Sequence, residues 1–193
     1  MTAGHCGTAG SNGGTFKSGA LDHPGSPTAQ PTGISYFFGT KQGTQNYPDY
    51  DQSRLEGSSY TGTIRVGGGD DAQTTRQVRG ATDPVIGDLV CQSGVTSEAI
   101  CDIRVGKLDA SYCDGSGCTT FLMSGRRADD GTTVRPGDSG GPVYLRFSGG
   151  EAGIRAMVIA GGDPVPNTTN FRRLFAERYV SMAEHLDVRI MTG

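Results

Sequence analysis

Charge is scarce in this sequence, and long apolar runs are missing. Asp, Glu, Lys and Arg make up only 19% of the 193 residues, and the formal net charge is -3. That balance excludes a polybasic surface for nucleic acid or for an anionic membrane. No stretch approaches the roughly 18 consecutive apolar residues that a membrane-spanning helix needs. The opening Met1-Thr2-Ala3-Gly4-His5 has neither the basic nor the apolar region of a secretory signal. The Leu, Lys and Glu content of a helical protein is also lacking. No internal repeat stands out, and there is no long low-complexity tail.

Glycine is abundant, at 32 residues, and Ser and Thr accompany it. Short apolar runs separated by such residues predict many turns and short strands, hence an all-β barrel or sandwich. The length suits one domain or two small barrels packed as one unit. Residues 7–32 read as loops. Strands are predicted over residues 34–38, 61–66, 85–91, 99–105, 119–123, 143–147 and 154–160. Gly67-Gly68-Gly69-Asp70-Asp71 breaks the pattern. The boundary between halves is therefore placed in residues 67–80, which divides the chain into 1–76 and 77–193. Only residues 175–186 read as helix, with Val180, Ala183 and Leu186 three apart on one face.

Five cysteines are present: Cys6, Cys91, Cys101, Cys113 and Cys118. They are consistent with an oxidising, extracellular setting, and the odd number leaves one thiol without an internal partner. Zinc held by Cys91, Cys101, Cys113 and Cys118 is an alternative, but nine residues between the first two do not suit the usual zinc spacings.

The sharpest segment is Arg135-Pro136-Gly137-Asp138-Ser139-Gly140-Gly141-Pro142-Val143. A nucleophilic serine needs an exposed hydroxyl on a tight turn and backbone N–H groups aimed at a developing oxyanion. Glycines at 137, 140 and 141 permit both the sharp turn and a close approach by substrate. An ordinary Gly-rich turn would account for a bare Gly-x-Ser-x-Gly, but the six-residue string from Gly137 to Pro142 is far rarer. The second segment is Thr2-Ala3-Gly4-His5-Cys6, where small residues allow tight packing around an imidazole. A nucleophile elbow of the α/β-hydrolase kind would lead from strand to helix, with its histidine last. Here a strand-like run follows Ser139, and the only late histidine, His185, sits in the predicted helix.

Together the two segments resemble the signatures of chymotrypsin-like serine proteases, in that family's order of His then Ser. The resemblance is to the bacterial streptogrisin and alpha-lytic branch and covers nearly the whole chain. It implies two packed six-stranded Greek-key barrels ending in a short helix. It also implies peptide-bond hydrolysis through an acyl-enzyme. Ser139 would be the nucleophile, His5 its general base, and the N–H groups of Gly137 and Ser139 the oxyanion hole. The orienting acid is Asp51, three residues after Pro48, with Asp49 as the alternative. Cys91–Cys101 and Cys113–Cys118 would be disulfides. Val134, Ala160, Gly161 and Gly162 would contact substrate. No cofactor or metal is implied. The expected partner is a polypeptide substrate, with no nucleic acid and no membrane, and the expected form is a secreted monomer.

Four departures qualify the resemblance. Family members have strands, and a Cys partner for Cys6, before the histidine segment. The first barrel is therefore expected to be incomplete, the reading frame to start upstream of Met1, and residues 1–193 alone to be weakly active or inactive. The family's buried Asp beside the nucleophile needs a cation or several hydrogen bonds, yet position 92 carries Gln where relatives often have Arg; Arg135 or another arginine could substitute. The usual Cys six residues before the nucleophile is Thr133, and the usual Ser at position 160 is Ala. No acid occupies 132–135, which disfavours a preference for Arg or Lys, and the expected preference is for medium or large apolar side chains. The competing readings are a degenerate homologue kept as a binding module or a pseudogene product, and a different hydrolase.

Overall fold

The computed structural model describes residues 3–5, 15–17, 35–37, 40–44, 49–56 and 60–193. The expected loops of 7–32, apart from 15–17, and Cys6 with its pairing lie outside these residues. In the first half, β1 (Thr15–Lys17) pairs antiparallel with β2 (Ser35–Phe37), and β3 (Thr40–Thr44) with β4 (Ser53–Glu56). β5 (Thr63–Arg65) pairs with β6 (Thr75–Ala81).

The second half carries β7 (Leu89–Gly94), β8 (Glu98–Asp114), β9 (Gly117–Arg127), β10 (Pro142–Arg146), β11 (Ala152–Pro164) and β12 (Phe171–Arg178). The sheet order is β10-β7-β8-β9-β12-β11-β6-β5, and β10 also pairs with β11. That last pairing closes six antiparallel strands into a barrel, which removes their open edges. β6 then joins β11 in parallel, so the sheet runs on without a break across residue 76.

Side-chain alternation explains the closure. Ile103 and Val105 of β8, Met123 of β9, Ala156 and Val158 of β11, and Leu174 and Ala176 of β12 fill the barrel interior. The opposite faces of the same strands carry a second core, formed by Leu122, Met157, Ile159 and Phe175 with Met182 and Ala3. The strands β11 and β12 are therefore apolar on both faces, and their outer face turns toward the segment that bears His5.

Three expectations about local structure need correction. Residues 15–17, expected as part of a loop, form the strand β1. Residues 85–88 form a turn, not the start of a strand. Asp88 N–H donates to the Val85 carbonyl at 3.0 Å, and Gly87 takes φ +97°. Residues 175–178 are strand, and the helix α1 is Tyr179–Leu186. Leu174 to Glu177 are buried without interruption because β12 is held between β9 and β11, so the period of two is hidden. The helix buries Met182 and Leu186, while Val180 faces solvent. Its first turn lacks a side-chain cap of its own; Asp83 supplies one by accepting from Val180 N–H at 2.9 Å. Among the described residues no helix is long and apolar enough to cross a membrane.

Both expected disulfides are present. Cys91–Cys101 links β7 to β8, and Cys113–Cys118 closes the tip of the β8–β9 hairpin. The four sulfurs are thus bonded in pairs and offer no thiolates for zinc.

Candidate active site

Two successive turns present Ser139. Asp138 N–H donates to the Arg135 carbonyl at 3.2 Å, and Gly141 N–H to the Asp138 carbonyl at 3.0 Å. The first turn places Gly137 at φ +96°, where a Cβ would also meet Thr96 Oγ1 at 2.4 Å, so glycine is required twice over. Among the described residues no backbone carbonyl takes the N–H of Gly137 or of Ser139. The chain then runs into the strand β10, not into a helix, which excludes the α/β-hydrolase elbow.

The turn is fastened to β11 by Gly140 N–H to the Val158 carbonyl at 2.8 Å, and by Val158 N–H to the Gly141 carbonyl at 2.9 Å. The register of β11 slips between Val158 and Ala160, a β-bulge that takes Ile159 out of the ladder. The freed Ile159 carbonyl accepts the Ser139 hydroxyl at 3.2 Å.

Asp138 is buried at 1% exposure and anchors the turn from within. Its Oδ1 accepts the N–H groups of Thr96 (3.1 Å) and Ser97 (2.9 Å). Its Oδ2 accepts Ser97 Oγ (2.5 Å), Arg135 N–H (2.8 Å) and Gln92 Nε2 (3.4 Å). Of the two expected means of holding this carboxylate, hydrogen bonds are used, Gln92 among the donors, and no cation is used among the described residues. Arg135 contributes its main chain rather than its guanidinium, and five donors do the work of a counter-charge. Ser97 is the residue that sequence reasoning missed here, because nothing local connects it with a carboxylate 41 residues away.

His5 lies on the outer face of the barrel. Its side chain is 38% exposed, while Asp51 is buried. The imidazole Nδ1 is 2.6 Å from Asp51 Oδ2, and His5 N–H donates to Asp51 Oδ1 at 2.8 Å. This two-point clasp uses Asp51, and the alternative, Asp49, is exposed. Gly4 permits the approach, since a Cβ there would stand 2.8 Å from Asp51 Oδ1 and 3.0 Å from Gln52 N. Ala3 packs in the core that contains Met157 and Ile159. Segment 3–5 and the Ser139 turn are therefore both held by β11.

No protein-family model matches the chain, and no curated protein matches it in sequence. Solved structures do. A Nocardiopsis protease is 21% identical, with 99% of this chain and 84% of that chain covered and a TM-score of 0.67. A chymotrypsin from Cellulomonas bogoriensis is 24% identical, with coverages of 100% and 85% and a TM-score of 0.65. A glutamic acid-specific serine protease is 18% identical, with coverages of 98% and 84% and a TM-score of 0.66. This chain has the fold of the bacterial chymotrypsin-like serine proteases.

Within that fold the residues expected to meet substrate take two kinds of place. Val134 is buried at 2% exposure in the barrel core and bridges to Phe171, whose N–H donates to its carbonyl at 3.0 Å. Ala160, Gly161 and Gly162 are partly buried and pair with Phe175, Leu174 and Arg173 of β12. The Phe171 ring packs against Gly161, and the Phe175 ring against Gly162. Among the described residues no strand pairs with the other edge of β11 over 159–162.

Proposed function

We propose that this chain is a serine endopeptidase that cleaves peptide bonds through an acyl-enzyme. The observation that carries the reading is the clasp of His5 on Asp51. With Nδ1 turned to the carboxylate, Nε2 is the ring nitrogen that acts as the base. Asp51 holds the imidazole in that tautomer and stabilises the cation formed when His5 takes the Ser139 proton. Ser139 attacks the scissile carbonyl, and His5 returns the proton to the leaving amine. The developing oxyanion is received by the N–H groups of Gly137 and Ser139. A substrate adds as a strand along the open edge of Ala160, Gly161 and Gly162. The rings of Phe171 and Phe175 beside Gly161 and Gly162 give that region an apolar lining that favours an apolar side chain before the cleaved bond, and Val134 backs Phe171 from the barrel core. The disulfides fit a secreted enzyme.

A second reading, an inactive homologue that binds peptides, is favoured by the Ser139 hydroxyl being engaged with the Ile159 carbonyl. Labelling with a fluorophosphonate separates the two. The protease reading expects labelling and peptide hydrolysis, with labelling abolished in Ser139→Ala and hydrolysis reduced by several orders of magnitude in Ser139→Ala and Asp51→Asn. A folded protein that is never labelled supports the binding reading.

A further inference from the structure

Behind Asp51 lies a second carboxyl that the proposed mechanism does not use. Glu177 stands on the outer face of β12, beside Phe175 and opposite Met157 of β11. Its exposure is 1%. A carboxyl so placed needs hydrogen bonds. Glu177 Oε1 accepts the main-chain N–H of Asp51 at 2.9 Å, and Oε2 accepts Ser181 Oγ at 3.4 Å. Asp51 is therefore gripped at both ends, its peptide by Glu177 and its carboxylate by His5.

We infer that Glu177 is a positioning residue for Asp51, and that the charge on its carboxyl, carried through Asp51, sets how firmly His5 holds a proton. The inference rests on the protease reading for its consequence in catalysis, though not for the coupling itself. Among the described residues the groups facing Glu177 are few. The segment 49–52 brings Asp51 and Gln52. The helix brings Ser181 and, behind it, His185, whose Nδ1 is 3.3 Å from Ser181 Oγ and 2.9 Å from Gln52 Nε2. Its own strand brings Arg178, which is paired with Asp83 at 3.5 Å. Across the ladder Met157 carries no charge.

Burial pushes the Glu177 carboxyl up to about 7, helped by the neighbouring Asp51 charge and opposed by the Asp51 N–H, Ser181 and Arg178. Below that pH the carboxyl is neutral; it keeps an acceptor oxygen for the Asp51 N–H and gains an O–H donor. Above it, a second buried anion stands behind Asp51 and stabilises a protonated His5. The two titrations are thus coupled and appear as macroscopic steps of the group, not of one residue.

The test compares the wild type with Glu177→Gln and Glu177→Leu. The His5 imidazole is titrated by NMR, and kcat and KM are measured against pH on a peptide substrate. Gln keeps the acceptor oxygen and removes the charge. The His5 midpoint should fall by about one pH unit, and a two-step rise of kcat/KM should become one step. Leu also removes the acceptor, and kcat should fall about tenfold or more with KM little changed. A His5 midpoint and pH profile in Glu177→Gln that superimpose on those of the wild type would overturn the inference. If Glu177→Leu does not fold, the isosteric Gln variant decides. If the wild type neither labels nor hydrolyses, the protease reading falls, and the NMR midpoints still decide the coupling.

Discussion

Replacing Asp138 by Asn changes one atom in a site where every neighbour is a donor. The carboxylate receives two N–H bonds on Oδ1 and three bonds on Oδ2. If the new amide NH2 takes the Oδ1 side, it faces the N–H groups of Thr96 and Ser97, and neither can turn away. If it takes the Oδ2 side, the Ser97 hydroxyl can rotate to accept. Gln92 can also turn its Oε1, which is buried without a hydrogen-bond partner among the described residues, toward it. Arg135 N–H cannot adapt and is left unsatisfied. The second orientation is the cheaper. It still orphans one buried donor, at about 1–3 kcal/mol, and weakens the remaining bonds from charged to neutral strength. A loss of about 2–4 kcal/mol follows. For a chain of this size that corresponds to a fall in Tm of about 4–16 °C. Urea denaturation monitored by circular dichroism measures it, and fluorophosphonate labelling reports whether the turn still presents Ser139. Two companions sharpen the test. Ser97→Ala removes the 2.5 Å bond and should cost about 1.5–3 kcal/mol. Arg135→Ala keeps the main-chain donor and should stay within about 0.5 kcal/mol. The reasoning is refuted if Asp138→Asn costs under about 0.5 kcal/mol, or if Arg135→Ala costs more than Ser97→Ala, since a cation would then be the true partner.

Two further predictions follow from buried charge. Asp71 is buried, receives a two-point bond from Arg76 at 2.7 and 2.9 Å, and accepts Tyr144 Oη at 2.9 Å. Arg76→Met should therefore cost about 3–5 kcal/mol in chemical denaturation. Burial alone would raise the Asp71 carboxyl, but the bonds from Arg76, Gln73 N–H and Tyr144 outweigh it and hold the group below its ordinary value of 3.8. Its stabilising effect is therefore present above that value and is lost as pH falls below it, and this acid sensitivity should weaken in Arg76→Met. Glu177 has the opposite sign. Its folded state holds a proton that the unfolded chain releases near 4.5, so wild-type stability should fall between about pH 4.5 and 7. The loss should reach about 3 kcal/mol above pH 7 and be absent in Glu177→Gln. Denaturation midpoints at pH 5 and pH 8 check it, and equal pH slopes in the two proteins would count against a buried, proton-holding Glu177.

The parts of the site legible in the sequence are those made by neighbours in the chain. Gly137, Ser139 and Gly140 lie within one pair of turns, so their conformational demands show in the residue string itself. His5 and its flanking small residues are equally local. Asp51 was legible only through its step from Pro48, and its preference over Asp49 is decided in space by a clasp spanning 46 residues. The groups that make the site hold its shape were hidden, because each depends on closure of the barrel. Ile159 offers its carbonyl to Ser139 because β11 bulges there. Ser97 meets Asp138 because β7 and β8 bring their connecting turn under the nucleophile. Glu177 reaches Asp51 across 126 residues. The same cause hid the end of β12. A strand covered on both faces loses its alternation, and a glutamate within it reads as the solvent side of a helix. A charged residue inside an otherwise buried run is therefore informative. Burial of Glu177 is tolerable only because Asp51 N–H and Ser181 come to meet it, and that requirement ties the barrel, the helix and the His5 segment to a single carboxyl.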